Sequence, residues 1–548
     1  MSEVELPDGW SMAILGEVAD EAVDRSGPVS SEFIYVDISS IDREQKRISD
    51  AKVLESTAAP SRAKQVLQSG DVLISMTRPN LNAIAMATSE FHGAIGSTGF
   101  HVLRSKRVEP KFLFYLVHTR EFIEKMCLCV QGALYPAVRP NDIASFSFPL
   151  PPLPEQHRIV VKIEELFSEL DKGIENLKTA RAQLKVYRQA LLKHAFEGKL
   201  TAQWREERRT KNSVTPAKAG VHANEKLDSR LRGNDDMGLE IADAQPAGGQ
   251  ALLKRIQQER AQRYQQQLAD WQANVKQGSL VQRAGKPKAP KPLPPLTAEE
   301  RAELPKLPQG WGWCKLGDFI ESIDAGKSFK CDEREPRANE IGVAKVSAVT
   351  WGEYDESESK TCTDASKENE AYLIRNGDFI LSRANTIDLV GACVIARKVT
   401  KKIMLSDKTL RIRFDGFSQE YFLQYLGSRF GRKQIMQLST GNQESMRNIG
   451  QERIRSIVVP ICSCAESEVV IESLAARLSE VDQLELTITT SLQQAEALRQ
   501  SILKKAFSGQ LVPQDPHDEP ASALLARIKA ERATAGESSA VGKRSKRG

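Results

Sequence analysis

Five segments from the first half of this 548-residue chain return, in the same order, in its second half. Leu6–Trp10 (LPDGW) returns at Leu307–Trp311 (LPQGW), and SGDVLISMTRPN from Ser69 as NGDFILSRANT from Asn376. EPKFLFYLVHTR from Glu109 matches SQEYFLQYLGSR from Ser418, and YRQALLKHAFEGKL from Tyr187 matches LRQSILKKAFSGQL from Leu498. ALLKRIQQER from Ala251 matches ALLARIKAER from Ala523. Chance similarity does not keep order, so the chain is an internal duplication, and whatever one half builds must be built twice. The length points to about three or four domains in total.

The spacing of the matches locates an insertion. Between Pro149 and Leu200 the partner residue lies 311 positions downstream, and at Ala251 it lies 272 downstream. The first half therefore carries 39 more residues between Leu200 and Ala251 than the second half does between its matching positions. Thr215–Asp236 fills much of that window, is polar and aperiodic, and reads as an exposed insertion without chemistry. It is similar to the translated product of a dispersed bacterial genomic repeat. Lys286–Pro308 is rich in Pro and Lys and predicts an extended, semi-rigid linker. The last residues, GKRSKRG, form a short basic tail that reads as a disordered terminus or, less simply, a phosphate-gripping arm.

Each copy ends in a heptad pattern. Ile163, Leu170, Leu177, Leu184 and Leu191 recur every seven residues, with Leu166, Ala180 and Tyr187 on the alternate seam and Gly173 as a weak point. Leu474, Val481, Ile488, Ala495 and Ile502 repeat the stripe in the second copy. Charged residues fill most other positions, so the pattern predicts coiled-coil helices of about 40 residues, roughly 60 Å long at 1.5 Å per residue. Two matching stripes in one chain can pack on each other, and a pseudo-twofold relation across the seam requires them to run antiparallel. Such a rod would hold one globular segment at each end and act as a ruler. EGKL at Glu197–Leu200 and SGQL at Ser508–Leu511 place a glycine just past each helix as a stop.

Residues 1–150 and 307–460 mix short strand patterns after Gly-Asp turns (DVLISM, DFILSR) with helical stretches (FLFYLVHTREFIEKM, YFLQYLGSRFGRKQIM). They read as two α+β domains of one fold. Their cores match while their polar loops differ, which is what two binding modules with different targets need. Neither domain is basic: residues 1–150 hold 15 Lys and Arg against 19 Asp and Glu, and residues 307–460 hold 23 against 21. Local cationic runs do exist: Arg104, Lys106, Arg107 and Lys111, then Arg397, Lys398, Lys401, Lys402, Lys408, Arg411 and Arg413. Such a run is either a solvated face or a grip on phosphates. Arg suits guanine, and Asn or Gln suits adenine, each by paired hydrogen bonds. The candidate base readers are Arg78, Asn80, Tyr135 and Arg139 in the first domain. In the second they are Arg383, Asn385, Asn442, Gln443 and Arg447. For each alone, a plain turn or surface role is the competing reading.

Other classes of function find no support. No apolar run approaches the roughly 18 residues that span a bilayer, and the acidic N-terminus does not read as a signal peptide. The eight cysteines include no Cys-x-x-Cys pair, so neither a zinc site nor a disulfide framework is expected, and the chain reads as reduced and cytoplasmic. There is no phosphate-cradling loop, dinucleotide fingerprint, nucleophile elbow or His-Glu-x-x-His pair. Nor is there an Asn/Asp-Pro-Pro-Tyr/Phe pocket of an amino-group DNA methyltransferase. The balance favours a binding or scaffold protein over an enzyme.

LPPLPEQHRIVVKIEELFSELD at Leu150–Asp171, the closing ALLKHAFEGKLT at Ala190–Thr201 and the duplicated architecture resemble the specificity subunit of a type I restriction-modification system. The resemblance covers nearly the whole chain. The second copy departs from the pattern: VPICSCAESEVV keeps Pro460 and Glu466 but has Ser467 where the first copy has Gln156, which puts a partner contact there in question. The resemblance implies two target-recognition domains, 1–150 and 307–460, each reading one half of a split, asymmetric site in double-stranded DNA. It implies conserved coiled-coil helices at 151–201 and 461–512, a spacer at 202–306 with a polar insertion, short helix and Pro-rich linker, and a C-terminal helix and basic tail at 513–548. It further implies two modification subunits that methylate adenine, and a translocating restriction subunit. This chain would then bind no cofactor itself: S-adenosylmethionine, ATP and Mg belong to the partners.

Three other readings stay open on the residues alone. One is a recognition subunit for a fused methyltransferase–nuclease. Another is a non-catalytic coiled-coil adaptor with two protein-binding end domains. The third is an enzyme of unrecognised type.

Overall fold

The computed structural model describes residues 6–19, 23–105, 107–130, 136–213, 248–276, 286–287, 289, 293–350, 352–443 and 446–545. Tyr135, Lys106, the inserted Thr215–Asp236 and the last three residues of the basic tail lie outside the described residues. The chain divides into two compact units, Met1–Ala180 with Leu486–Gly548, and Arg181–Glu485. Each unit therefore contains residues from both copies of the duplication.

In the first unit, Ser11–Ile14 pairs antiparallel with Ser147–Leu150, so the globular segment closes on itself just before the first long helix. Between these ends lie a short pairing of Ile41–Asp42 with Arg47–Ile48 and two larger sheets. In one, Val72–Ser75 runs between Phe100–Leu103 and Ile84–Met86. Its four residues are all buried, as expected of a central strand covered on both faces. In the other, Glu32–Val36 runs between Lys52–Glu55 and Ile95–Ser97, with Ala63–Val66 beyond.

The second unit repeats this plan. Gly312–Lys315 pairs with Val458–Ile461. Phe379–Ser382 is the buried central strand, flanked by Thr409–Phe414 and Cys393–Ile395. A second sheet orders Cys331–Asp332, Ser359–Cys362, Gly342–Ala344 and Ile403–Met404. Each central strand follows a Gly-Asp turn whose glycine takes a left-handed φ, 93° at Gly70 and 90° at Gly377, where a side chain would be strained.

The helical stretch expected after these strands breaks in two in each copy. Pro110–Leu116 is followed by Arg120–Leu128, and Gln419–Gly427 by Arg429–Leu438. The break is a capping residue. The Thr119 hydroxyl accepts from the Phe122 amide at 3.3 Å, and the Ser428 hydroxyl from the Gly431 amide at 3.2 Å.

Two 44-residue helices follow the domains, Leu153–Phe196 and Cys464–Phe507. Pro154 sits in the first turn of its helix, where its missing N–H costs nothing. Both helices stop in the same motif. Lys199 N–H donates to His194 O and Gln510 N–H to Lys505 O, each at 2.8 Å, with Gly198 and Gly509 left-handed.

The helices pair antiparallel within each unit. In the second unit, Arg181 pairs with Glu485 and Arg188 with Asp482, so partner numbers fall as the first helix advances. In the first unit, Arg499 pairs with Asp171 and stacks 4.5 Å over Phe167, while Ile163 shares a core with Ile502, Leu503 and Ala506. All five seam residues of the second helix are buried. In the first helix Ile163 and Leu191 are buried, and Leu170, Leu177 and Leu184 half-buried. Tyr187 departs from the expected seam: it is 46% exposed. Two paired helices bury one stripe each, and Tyr187 lies off that stripe.

The duplicated ALL-R-I segments dock crosswise. Gly249 at the start of the helix Gly249–Lys276 donates its N–H to Gly310 O at 2.7 Å, and Leu252 and Ile256 are buried with Trp311 and Leu316. A Cβ at Gly249 would meet Ile461 O at 2.4 Å, so this approach requires glycine. In the first unit, Ala521 donates to Gly9 O at 2.8 Å, and Leu524, Leu525 and Ile528 are buried with Trp10 and Leu15. Each copy thus supplies the helix that covers the other copy's domain. The helix from Ala521 runs to Ser545, so the start of the basic tail has helical backbone.

Candidate nucleic-acid interface

The same local construction recurs at the end of each central strand. In the first unit Thr77 bridges Ala137, Arg78 N–H donates to Pro136 O at 2.8 Å, and Val138 N–H donates to Met76 O at 2.9 Å. In the second, Ala384 pairs with Asn448, Asn385 with Arg447, and Ile449 N–H donates to Arg383 O at 2.9 Å. Ala137 and Asn448 are equivalent positions of the duplication, as are Met76 and Arg383. The fold therefore stitches together two loops some sixty residues apart in sequence, and does so twice. On this seam it places the candidate readers of each domain that fall within the described residues.

Arg78, Asn80 and Arg139 are exposed. Arg78 takes a left-handed φ of 49° immediately before Pro79. That conformation is strained for a side-chain-bearing residue and persists only where surroundings impose it. Among the described residues, the other left-handed non-glycine residues are Lys46 and Asn82, and the Lys46 ammonium donates to Asn82 O at 3.0 Å. All three strained residues thus meet at one loop. Burial pulls the Lys46 pKa below its ordinary value.

In the second unit the seam widens into a three-stranded sheet of Ala384–Asn385, Met446–Asn448 and Thr440–Gln443. Asn442 and Gln443 are exposed on its outer strand. Arg383 and Asn385 are half-buried, and Asn385 Oδ1 accepts from the Thr386 amide at 2.8 Å. Arg447 turns back on its own hairpin, donating to Gly441 O at 2.6 Å and to Ser439 O at 3.2 Å. Its guanidinium therefore braces the loop rather than projecting from it. Arg432 does the same for the neighbouring loop, donating to Ile387 O and Asp388 O at 3.0 Å and to Val390 O at 2.5 Å.

Two members of the cationic runs are internal to the fold. Arg104 is buried and grips Asp71 with two bonds of 2.7 and 2.6 Å. In the second unit Arg411, two residues before the position equivalent to Arg104, is buried between Asp324 and Asp378. Arg107 pairs with Glu531, Lys111 with Glu164, Arg397 with Glu420, Lys401 with Glu335, Lys402 with Glu368 and Arg413 with Asp324. These pairs join mostly exposed side chains and are worth at most about 1 kcal/mol each, so they do not withhold these cations from a phosphate. Exposed Lys408 lies beside the candidate readers, its carbonyl accepting the Arg383 amide at 2.9 Å. Lys46 was not legible as a loop brace, since nothing in its local sequence announces a contact with Asn82.

Gln156 is fully buried. It accepts from Glu109 N–H at 3.1 Å and donates to Pro151 O at 2.9 Å, fixing the start of the long helix. At the equivalent start buried Ser467 donates to Cys464 O at 2.7 Å inside the first turn, while the Ser463 hydroxyl caps it by accepting from the Glu466 amide at 3.2 Å. The substitution changes an internal brace and not an exposed partner contact. Among the described residues, no cluster of three or more His, Cys, Asp or Glu is arranged to hold a metal, and no helix is long and apolar enough to cross a membrane.

Residues 37–179 match the type I restriction modification DNA specificity domain. The type I restriction enzyme EcoEI specificity subunit of Escherichia coli is 25% identical over 522 residues, covering 91% of this chain and 83% of that protein. The EcoAI specificity subunit of Escherichia coli is 21% identical over 518 residues, covering 89% and 81%. A chain solved in work on complex assembly and conformational transition of the type I R-M system matches 92% of this chain and 99% of its own length. It does so at 22% identity with a TM-score of 0.61, which supports the fold described above.

Proposed function

This chain is related to the specificity subunits of type I restriction enzymes, and from that premise we propose that it is the non-catalytic, sequence-reading subunit of such a complex. Each unit reads one half of a split, asymmetric duplex target. The paired helices set the unread gap between the halves. Two modification subunits that methylate adenine join it, and restriction subunits that translocate DNA join them. S-adenosylmethionine, ATP and Mg are then held by those partners.

The observation that carries this reading is the twice-built loop seam. Equivalent backbone bridges, Thr77–Ala137 and Ala384–Asn448, present unlike side chains: Arg78, Asn80 and Arg139 in one unit, Asn442 and Gln443 in the other. A common frame with different polar tips is suited to reading two different base sequences.

The test is selection from a random duplex pool by the chain reconstituted with its modification partner. The expected result is two enriched blocks at one fixed separation, with unconstrained bases between. A complex that assembles but enriches no sequence would instead mark the chain as an adaptor whose end domains bind proteins.

A further inference from the structure

Cys331 and Cys362 stand directly opposite each other on antiparallel strands of the second unit. They form the pair without mutual backbone hydrogen bonds. The flanking bond runs from Thr363 N–H to Lys330 O, and Cys362 N–H points away, to Ile341 O at 2.8 Å. Opposed residues of this type project to the same face with Cα atoms about 4.5 Å apart, inside the span of about 4.4–6.8 Å that a disulfide accepts. Cys362 is buried and Cys331 only partly so, and both lie in one apolar cluster with Ile341, Val343 and Met404. The strand Cys331–Asp332 is a two-residue edge strand, free on one side to tilt toward its neighbour. No other cysteine has this placement: Cys314 faces Val459 and Cys393 faces Leu381 on paired strands.

We propose that Cys331 and Cys362 are a reversible redox pair that closes to a cross-strand disulfide when a low-molecular-weight disulfide such as oxidised glutathione is the oxidant. The accessible Cys331 thiolate attacks one sulfur of that disulfide and expels the first thiolate. Cys362, deprotonated in turn, attacks the Cys331 sulfur of the mixed disulfide and expels the second. Two protein thiols are oxidised, one small disulfide is reduced to two thiols, and the two protons pass to the leaving groups. Burial and the neighbouring Cys362 hold the Cys331 thiol above its ordinary pKa, so closure is faster in mildly alkaline solution. The bond would pin the edge strand and the loop before it. That loop is tied through Ser328 to Asp407, and the adjoining Lys408 accepts the Arg383 amide beside the reader sheet.

The experiment treats the full reduced chain with oxidised glutathione at mildly alkaline pH, then alkylates it in denaturant, digests it and maps the peptides by mass. The expected product is a single Cys331–Cys362 link, two hydrogens lighter than the dithiol, lost on adding dithiothreitol, with the other six cysteines alkylated. In Cys362→Ser, Cys331 should stop at the glutathione adduct. Wild-type protein in which Cys331 keeps a stable glutathione adduct, or in which both thiols are alkylated, would overturn the proposal. The readout is sulfur chemistry alone, so it stands or falls apart from any DNA reading.

Discussion

Asp71 with Arg104 is a buried ion pair, and Asp378 with Arg411 answers it in the second unit from a strand position two residues earlier. Each ties the Gly-Asp turn to the neighbouring strand, and Arg104 also donates to Val66 O at 2.9 Å. Removing one member strands the other charge in the core. Arg104→Ala is therefore expected to cost about 3–5 kcal/mol, seen as a lower urea midpoint. The exposed loop residues should behave oppositely. Arg78→Ala or Asn442→Ala should shift stability by no more than about 0.5 kcal/mol while weakening target-duplex binding by about 1–3 kcal/mol, as titrated on the assembled complex. His118 supplies a pH signature. Burial, helped by Lys46 and Arg499, drops its pKa from 6.5 to about 3, and its Nδ1 faces Phe114 O at 2.6 Å. The unfolded chain takes up this proton first, so the His118 contribution is complete above pH 6.5 and is lost as pH falls toward 3. His118→Gln should flatten the change in urea midpoint between about pH 7 and 5. An unchanged slope would remove His118 as its source.

At the scale of elements, the long helices were the most legible part of the sequence. Seven-residue spacing and a glycine stop are local signals, and they located Leu153–Phe196 and Cys464–Phe507 closely. The loop seam was not legible, because Thr77 and Ala137 are joined by pairing between distant segments that no local pattern encodes. Composition could not show that Arg447 braces its own hairpin, or that Arg104 and Arg411 are internal. Nor did periodicity disclose that the helices from Gly249 and Ala521 cover the opposite copy's domain, although LPDGW and ALL-R-I recur together. The seam itself makes a graded prediction. Leu474 is 1% exposed, whereas Leu177 is half-buried. Leu474→Ala should cost about 2–5 kcal/mol, and Leu177→Ala clearly less, by urea unfolding. Equal losses would mean the helices pair in another register.

At the scale of the whole molecule, duplication followed by divergence explains why one chain carries two units of one plan with different tips. Each unit borrows from the other copy: the first ends with the helix from Ala521, and the second contains the helix from Gly249. The central claim is that the two units read separate halves of one target. It is tested most directly by sequencing the methylome of cells that carry this chain with its modification partner, beside cells carrying Arg78→Ala/Asn80→Ala or Asn442→Ala/Gln443→Ala. The account predicts a new split motif with methyladenine in both halves, and each double variant relaxing only one half. Soluble, co-purifying subunits that leave no new motif, or variants that alter both halves alike, would contradict it.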